Sequence, residues 1–484
     1  MGAEIVQLFV KAPSPPGPRG RFLLGSLPGL RRNPLAFLTE VARGYGDVAA
    51  FRVLGVPVWL LSHPDEIELV LATESRSFVK RRGLQAGRPI FGEGLLTSEG
   101  EFWRRQRRLA QPAFHRERLV GYGATMVSCT EAMLDGWTDG EIRDIHADLM
   151  RLTLTIVGET LFGSDVSGEA RAVSEALETA VSAFPEMLNP VRRFFAEHVP
   201  TGRNRKLRDA VMTLERVVYD LIRARRESGQ DSGDLLSALL FAVDEDGNRM
   251  DDRQLRDETL TLLLAGHETT AIALAWTFWL LGKNAGARAM LEEEVDRVLD
   301  GRDPGPGDLP RLTFTDWSVR EAMRLYPPAW AIGRTAVADV NVRGFRIPKG
   351  ASVLVSPWVT HHDPRFFESP EEFRPQRWGT EEARRLPRFA YFPFGGGPRA
   401  CIGSGFATME AVLVTATIWR RFRLERVPGH AAVPWPSITL RPRDGIRMLV
   451  ERRRDRDGVA SSTRADPLRS LPRDKHRPRR ESRK

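Results

Sequence analysis

The run Phe394 to Gly403, FGGGPRACIG, sets a cysteine in a glycine-rich loop just ahead of a segment, Ser404 to Arg421, patterned as a helix. A thiol binds metal as its anion, so such a site must favour negative charge at sulfur. Gly395, Gly396, Gly397 and Gly403 let backbone N–H groups come close to that sulfur. A helix beginning after Cys401 adds the positive end of its dipole. The pattern Phe-x-x-Gly-x-Arg-x-Cys-x-Gly, filled by Phe394, Gly397, Arg399, Cys401 and Gly403, prepares one thiolate for one metal centre. A glycine-rich turn beside a buried cysteine is the plain alternative, and the loop alone does not exclude it.

Three further groups lie far away in sequence. AGHETT, Ala265 to Thr270, interrupts a long apolar run that predicts one helix over about Asp252 to Lys283. Buried polar groups are costly unless paired, so a polar knot there needs a purpose. Gly266 weakens the helix, and Thr269 can bond back to a carbonyl one turn earlier, widening it. A local opening for a diatomic ligand and a water would result, with Glu268 feeding protons through Thr269. A helix–helix contact built from small residues is the competing explanation. Trp103 and Arg107 stand one helical turn apart, which aims an indole N–H and a guanidinium at one anion. Glu321 and Arg324, three apart, can pair on a helix face.

Together these residues resemble the cytochrome P450 haem-thiolate monooxygenases. The resemblance implies haem b ligated by Cys401, with O2 bound near Ala265 and Gly266 and proton delivery by Glu268 and Thr269. It implies that Trp103, Arg107, Arg334 and Arg399 meet the haem propionates, with His361 a weaker candidate, and that Phe394 and Gly403 complete the cofactor loop. Arginine suits such carboxylates because its fork binds them bidentately. The family's Glu–Arg pair falls on Glu321 and Arg324 and its later arginine on Arg377, a trio that stabilises the fold near the haem. Gln376 stands where the family often has glutamate. The resemblance runs to about Glu451 and leaves out the last thirty or so residues.

The elements that must carry these groups follow from the remaining pattern. The chain has 484 residues, 42% hydrophobic and 28% charged, in the range of a globular protein. Helical patterns dominate from Glu99 to Asn284, with breaks near Gly163, Pro185 to Pro200, and Gly229 to Gly233. Strand patterns cover Asp47 to Leu61, with a turn at Leu54–Gly55, and Val340 to Val355. Lys80 to Ser98 and His362 to Pro398 read as irregular. The expected architecture is mainly α with small β-sheets (α+β), a P450-like fold with a long central helix over the haem. It divides into a lead-in, 1–20, a monooxygenase domain, 21–451, and a basic tail, 452–484, expected to be disordered.

The net charge of +9 belongs to that tail: thirteen Lys and Arg against five Asp and Glu from Arg452 on leave 59 basic and 58 acidic residues elsewhere. No nucleic-acid role is expected. Two cysteines, Cys129 and Cys401, exclude all-cysteine metal clusters and favour a reducing compartment. No stretch approaches the roughly 20 apolar residues of a spanning helix, so a cytoplasmic protein without integral membrane association is expected.

Two electrons must come from outside, because no dinucleotide-binding GxGxxG occurs in a strand-to-helix setting. The resemblance implies NAD(P)H as their source, through a reductase and a ferredoxin or flavodoxin-like donor. Arg104, Arg105 and Arg108 are candidates for a basic docking face. Phe184, Met187, Leu188 and Ile332 suggest an apolar cavity for a hydrophobic small molecule such as a fatty acid, terpene or polyketide-like compound. A peroxide-driven or rearranging haem-thiolate enzyme is the alternative within the family, and retention of the acid–threonine pair argues against it. A non-catalytic haem sensor would carry an added signalling domain, and none is seen.

Overall fold

The computed structural model describes residues 14–85, 87–163, 172–173, 175–176, 179–180, 183 and 201–453. Its axis is the helix Asp252–Lys283, with the bounds expected from the sequence. Asp251 caps it and Gln254 returns the bond, a reciprocal box that satisfies two otherwise free N–H groups. At 1.5 Å per residue its 32 residues span roughly 48 Å. The helices Ile145–Phe162, Gly202–Ser228, Thr313–Leu325 and Ser404–Arg421 pack against it. Nearly every position from Leu255 to Leu281 is buried, as an apolar run without a polar face requires. Trp276 stacks on Tyr326 with ring centroids 4.1 Å apart, and its indole N–H donates to Leu440 O at 2.9 Å. The breaks at Gly163 and Gly229 are left-handed C-caps, at φ 57 and 63. Pro185 to Pro200 lies outside the described residues.

A five-stranded sheet flanks the helices in the order Val48–Val53, Val56–Leu61, Ser352–Val355, Ile332–Ala336, Phe78–Lys80. The first two strands form the expected hairpin, turning through Leu54 and Gly55 at φ 49 and 81, the paired positive angles of a tight two-residue turn. Ile332–Ala336 escaped the sequence pattern because IGRTA has neither alternation nor an apolar run. Its neighbours on both sides, Ser352–Val355 and Phe78–Lys80, make it a strand. Lys80 to Ser98 is less irregular than expected, holding the short helices Arg82–Gln85 and Arg88–Phe91. The apolar layer beneath the sheet includes Phe389 and Phe392, so the approach to the cysteine loop is rooted in that layer. At its ends the fold includes Pro16, whose carbonyl accepts from Ala50 N–H at 2.9 Å, and Arg453, whose N–H donates to Arg421 O at 2.9 Å. Among the described residues no helix is long and apolar enough to cross a membrane.

Candidate active site

The cysteine loop is a closed, tightly held turn. Cys401 N–H donates to Phe394 O at 2.9 Å, and Ala400 N–H to Gly397 O at 3.1 Å. Gly397 sits at φ 66, and a Cβ there would lie 1.9 Å from Leu71 O, so no other residue fits. Gly403 caps the helix Ser404–Arg421, and its backbone N–H also bonds to the Cys401 sulfur. Burial pushes the Cys401 thiol up, while that N–H and the Arg107 charge pull it down. The sulfur is exposed although protein surrounds it, because it faces an interior cleft rather than the outer surface. Among the described residues no group of three or more His, Cys, Asp or Glu is placed to hold a metal.

Ala265 opens on the interior too. It is exposed midway along a helix whose other positions from Leu255 to Leu281 are buried or half-buried, and Thr269, one turn on, is half-buried. The Thr269 hydroxyl donates to Ala265 O at 2.8 Å and Thr270 to Gly266 O at 3.0 Å. The helix nonetheless runs unbroken, so the expected widening is not seen. Gly266 faces the other way: a Cβ there would come within 3.1 Å of Val157, and the absent side chain admits the neighbouring helix. Glu268 is buried, and its carboxylate accepts from Thr439 Oγ1 at 2.7 Å with Arg441 Nε 4.0 Å away.

A basic cluster lies beside the cysteine loop. Buried Lys80 and Arg334 sit opposite each other on paired strands, where like charges repel. The Lys80 ammonium and the Arg399 guanidinium lie 5.5 and 5.4 Å from the centre of the buried Trp103 ring, within cation–π range. Arg107 donates to Ala400 O at 3.0 Å. Glu99 is the one carboxylate at the centre, accepting from Arg399 at 2.9 Å and from Lys80 N–H at 2.6 Å. Burial pushes the nearby Glu258 carboxyl up to about 8, so it adds no full negative charge at neutral pH. Burial likewise draws Lys80 down to about 8, and Arg334 to about 10 with help from the Arg399 charge. Arg399 Nε is buried without a partner. This donor set has too few acids and suits a ligand with carboxylates at its edge.

A sequence model of the family Cytochrome P450 matches residues 15–447. The chain is a cytochrome P450. It is similar to cyclooctatin synthase of Streptomyces melanosporofaciens, 38% identical over 440 residues that make up 90% of this chain and 95% of the relative. Pentalenene oxygenase of Streptomyces avermitilis is 35% identical over 434 residues, 87% of this chain and 95% of the relative. Among solved structures, a cyanobacterial P450 with retinoic acid bound superposes with a TM-score of 0.82 at 26% identity, covering 91% of this chain and 99% of that one.

Membership makes this P450 a haem-thiolate monooxygenase that draws electrons from a separate partner. One thiol on an interior cleft, an accessible helix face and a basic cluster short of acids fit a flat iron porphyrin with two propionates. Ile332 Cδ1 would lie 3.6 Å from a Cβ on Gly395, which puts Ile332 beside the cysteine loop. Phe184, Met187 and Leu188 lie outside the described residues.

His361 departs from expectation. Its ring is fully buried between Tyr391 and Phe392, and Nε2 accepts from Phe392 N–H at 3.0 Å. It anchors the chain leading to the cysteine loop and does not join the basic cluster. Nor do Arg104, Arg105 and Arg108 form a free basic face, because Glu101, Asp244 and Glu245 pair with them. Sequence reasoning also missed Lys80, Glu99 and Thr439. Lys80 ends an apolar strand, a position where a buried ammonium could have been suspected; Thr439 carries no local signal.

Glu321, Arg324 and Arg377 meet as expected. Arg377 Nε bonds Glu321 at 2.9 Å, and Arg374 N–H and Trp378 Nε1 reach the same carboxylate at 3.0 and 3.1 Å. Gln376 is exposed and touches Met290 Sδ at 3.1 Å, so its lack of charge leaves the trio untouched.

Proposed function

We propose that this P450 hydroxylates a terpene-class hydrocarbon skeleton, taking electrons from a ferredoxin or flavodoxin-like donor in the cytoplasm. The observation that carries the substrate class is the similarity, over most of the chain, to relatives named for cyclooctatin, cyclooctat-9-en-7-ol and pentalenene. The exposed Ala265 and half-buried Ile332 add apolar surface at the cleft. When bound, haem supplies the activation of O2 and the oxidation of the C–H bond.

The residues of the chain then divide the remaining work. Cys401 would hold the haem iron through its thiolate, with Gly403 N–H and Arg107 favouring its anion. Arg399 and Arg334 would hold the propionates, with Arg107 at the cysteine loop and Trp103 as the platform on which Arg399 rests; Phe394 closes the loop. Thr269 presents its oxygen on the cleft face beside Ala265. Glu268 holds a proton-exchanging carboxylate on the same helix, accepting from Thr439 Oγ1 at 2.7 Å, with Arg441 Nε 4.0 Å away. Protons would pass by exchange between Glu268 and Thr269.

The test uses purified, haem-loaded protein. The reduced carbon monoxide complex should show the red-shifted Soret band of thiolate ligation, and Cys401→Ser should abolish it. A panel of cyclic terpenes, fatty acids and macrolactones should displace water from the haem, read as a Soret shift, at lowest concentration for a terpene. A persistent thiolate band in Cys401→Ser would remove the ligand assignment. Tighter response to fatty acids or macrolactones would remove the substrate class. With a surrogate donor, Thr269→Ala should yield more peroxide per product, and unchanged coupling would take Thr269 out of the proton exchange.

A further inference from the structure

At one corner of the fold the most exposed large apolar side chains of the described residues stand together. Phe22 is 91% and Leu23 77% exposed. They form the tip of a turn closed by paired backbone bonds between Arg21 and Gly25, at 2.8 and 2.7 Å. The turn is pinned to the tip of the first hairpin: Gly25 bridges Val53, and Leu54 N–H donates to Leu24 O at 3.3 Å. Leu54 and Val56, 59% and 51% exposed, extend the patch. Leu23 holds φ 61, a left-handed conformation that a leucine enters only at a cost. No burial offsets that cost, and strain kept without packing points to use.

The surroundings are basic. Arg19, Arg21, Arg31, Arg32 and Arg52 are all exposed, and none forms an ion pair with a described residue. No Asp or Glu occurs from Ser14 to Leu38. The helix Leu27–Arg32 behind the turn has no buried residue, so its arginines are held out from the fold.

We propose that this corner is a wedge that seats the protein on an anionic lipid bilayer, with Phe22 and Leu23 among the acyl chains and the arginines at headgroup phosphates. A small protruding apolar tip ringed by guanidinium groups matches the layered chemistry of that interface. Anionic headgroups complement a face whose only charges are positive.

Full-length, haem-loaded protein is sedimented with vesicles of phosphatidylcholine alone or mixed with phosphatidylglycerol. It should co-sediment with the anionic vesicles, about tenfold or more tightly than with the neutral ones, and should be released by salt. Phe22→Ser and Leu23→Asn should each weaken binding about tenfold, and Leu23→Asn should at the same time raise the melting temperature because asparagine tolerates positive φ. Joint Arg19→Gln and Arg21→Gln should remove the preference for anionic vesicles. No binding to either vesicle, or equal binding by Leu23→Asn, would overturn the proposal. So would loss of binding on deletion of residues 1–13 with the corner intact. A parent dimer that Leu23→Asn makes monomeric, with neither form on vesicles, would overturn it in favour of a self-interface.

Discussion

Two basic clusters, one around Arg324 and one around Lys80, Arg334 and Arg399, are satisfied differently. Arg324 is fully buried and uses every donor. Its Nε and Nη2 grip Glu321 at 3.0 and 2.9 Å, and its remaining N–H groups reach His361 O, Pro370 O and Glu372 O at 2.9, 2.6 and 3.0 Å. By contrast, Glu99 is the central carboxylate for Lys80 and Arg399, Lys80 and Arg334 oppose each other across paired strands, and Arg399 Nε is left unpartnered. A saturated buried charge holds structure together, because each donor has already been matched within the chain. An under-matched one is costly until something else arrives. The same residue type thus marks scaffold in one place and a binding surface in the other.

That contrast can be broken at several points. Glu321→Ala would leave Arg324 buried without its carboxylate, and destabilisation of about 3–5 kcal/mol is expected. Urea unfolding of the haem-free protein would measure it, and a loss under about 1 kcal/mol would mean that this cluster is not the scaffold. Arg399→Gln should leave haem-free stability nearly unchanged but weaken haem retention by about tenfold or more, the share of one charge-assisted hydrogen bond. Transfer of haem to an acceptor protein would read this. If the haem-free form were destabilised as strongly as by Glu321→Ala, the distinction between the clusters would fail.

A third effect is graded and concerns acid. Burial draws both His267 and His362 down to about 4 from the ordinary 6.5. The folded state therefore refuses protons that the unfolded chain accepts, so stability falls as pH drops from about 6.5 toward 4. The slope is about 1.4 kcal/mol per pH unit for each ring. Unfolding midpoints at several pH values would show the slope, and His267→Gln should remove one ring's part of it. A variant with the parent's slope would show that His267 takes up its proton in the fold. Smallest is Gln376→Glu, expected within about 0.5 kcal/mol of the parent because the side chain is exposed. A larger change would tie Gln376 to the Glu321 trio after all.

Much of the site could be read locally. The cysteine motif, the bounds of the helices Asp252–Lys283 and Ser404–Arg421, and the hairpin turn at Leu54–Gly55 all rest on neighbours within a few residues. Cap residues, apolar runs and glycines at positive φ act over that range. Glu321 with Arg324 was visible as spacing, but its meaning needed Arg374, Arg377 and Trp378, more than fifty residues away. His361 shows the opposite failure. Its type and neighbourhood suited a carboxylate partner, yet Phe392 N–H occupies its Nε2.

From its residues alone this chain specified one thiolate in a glycine loop, a long buried helix with an acid and a threonine at mid-length, and the family to which both belong. Those features are set by short-range sterics, capping and apolar periodicity. Folding decided which charges are cancelled. It gave Arg105 and Arg108 their acids, Asp244 and Glu245, and placed Lys80 across from Arg334. It also turned Glu268 toward Thr439 and left Arg399 with a donor to spare. This charge compensation depends on distances between segments that lie more than a hundred residues apart, and those distances exist only once the chain has packed.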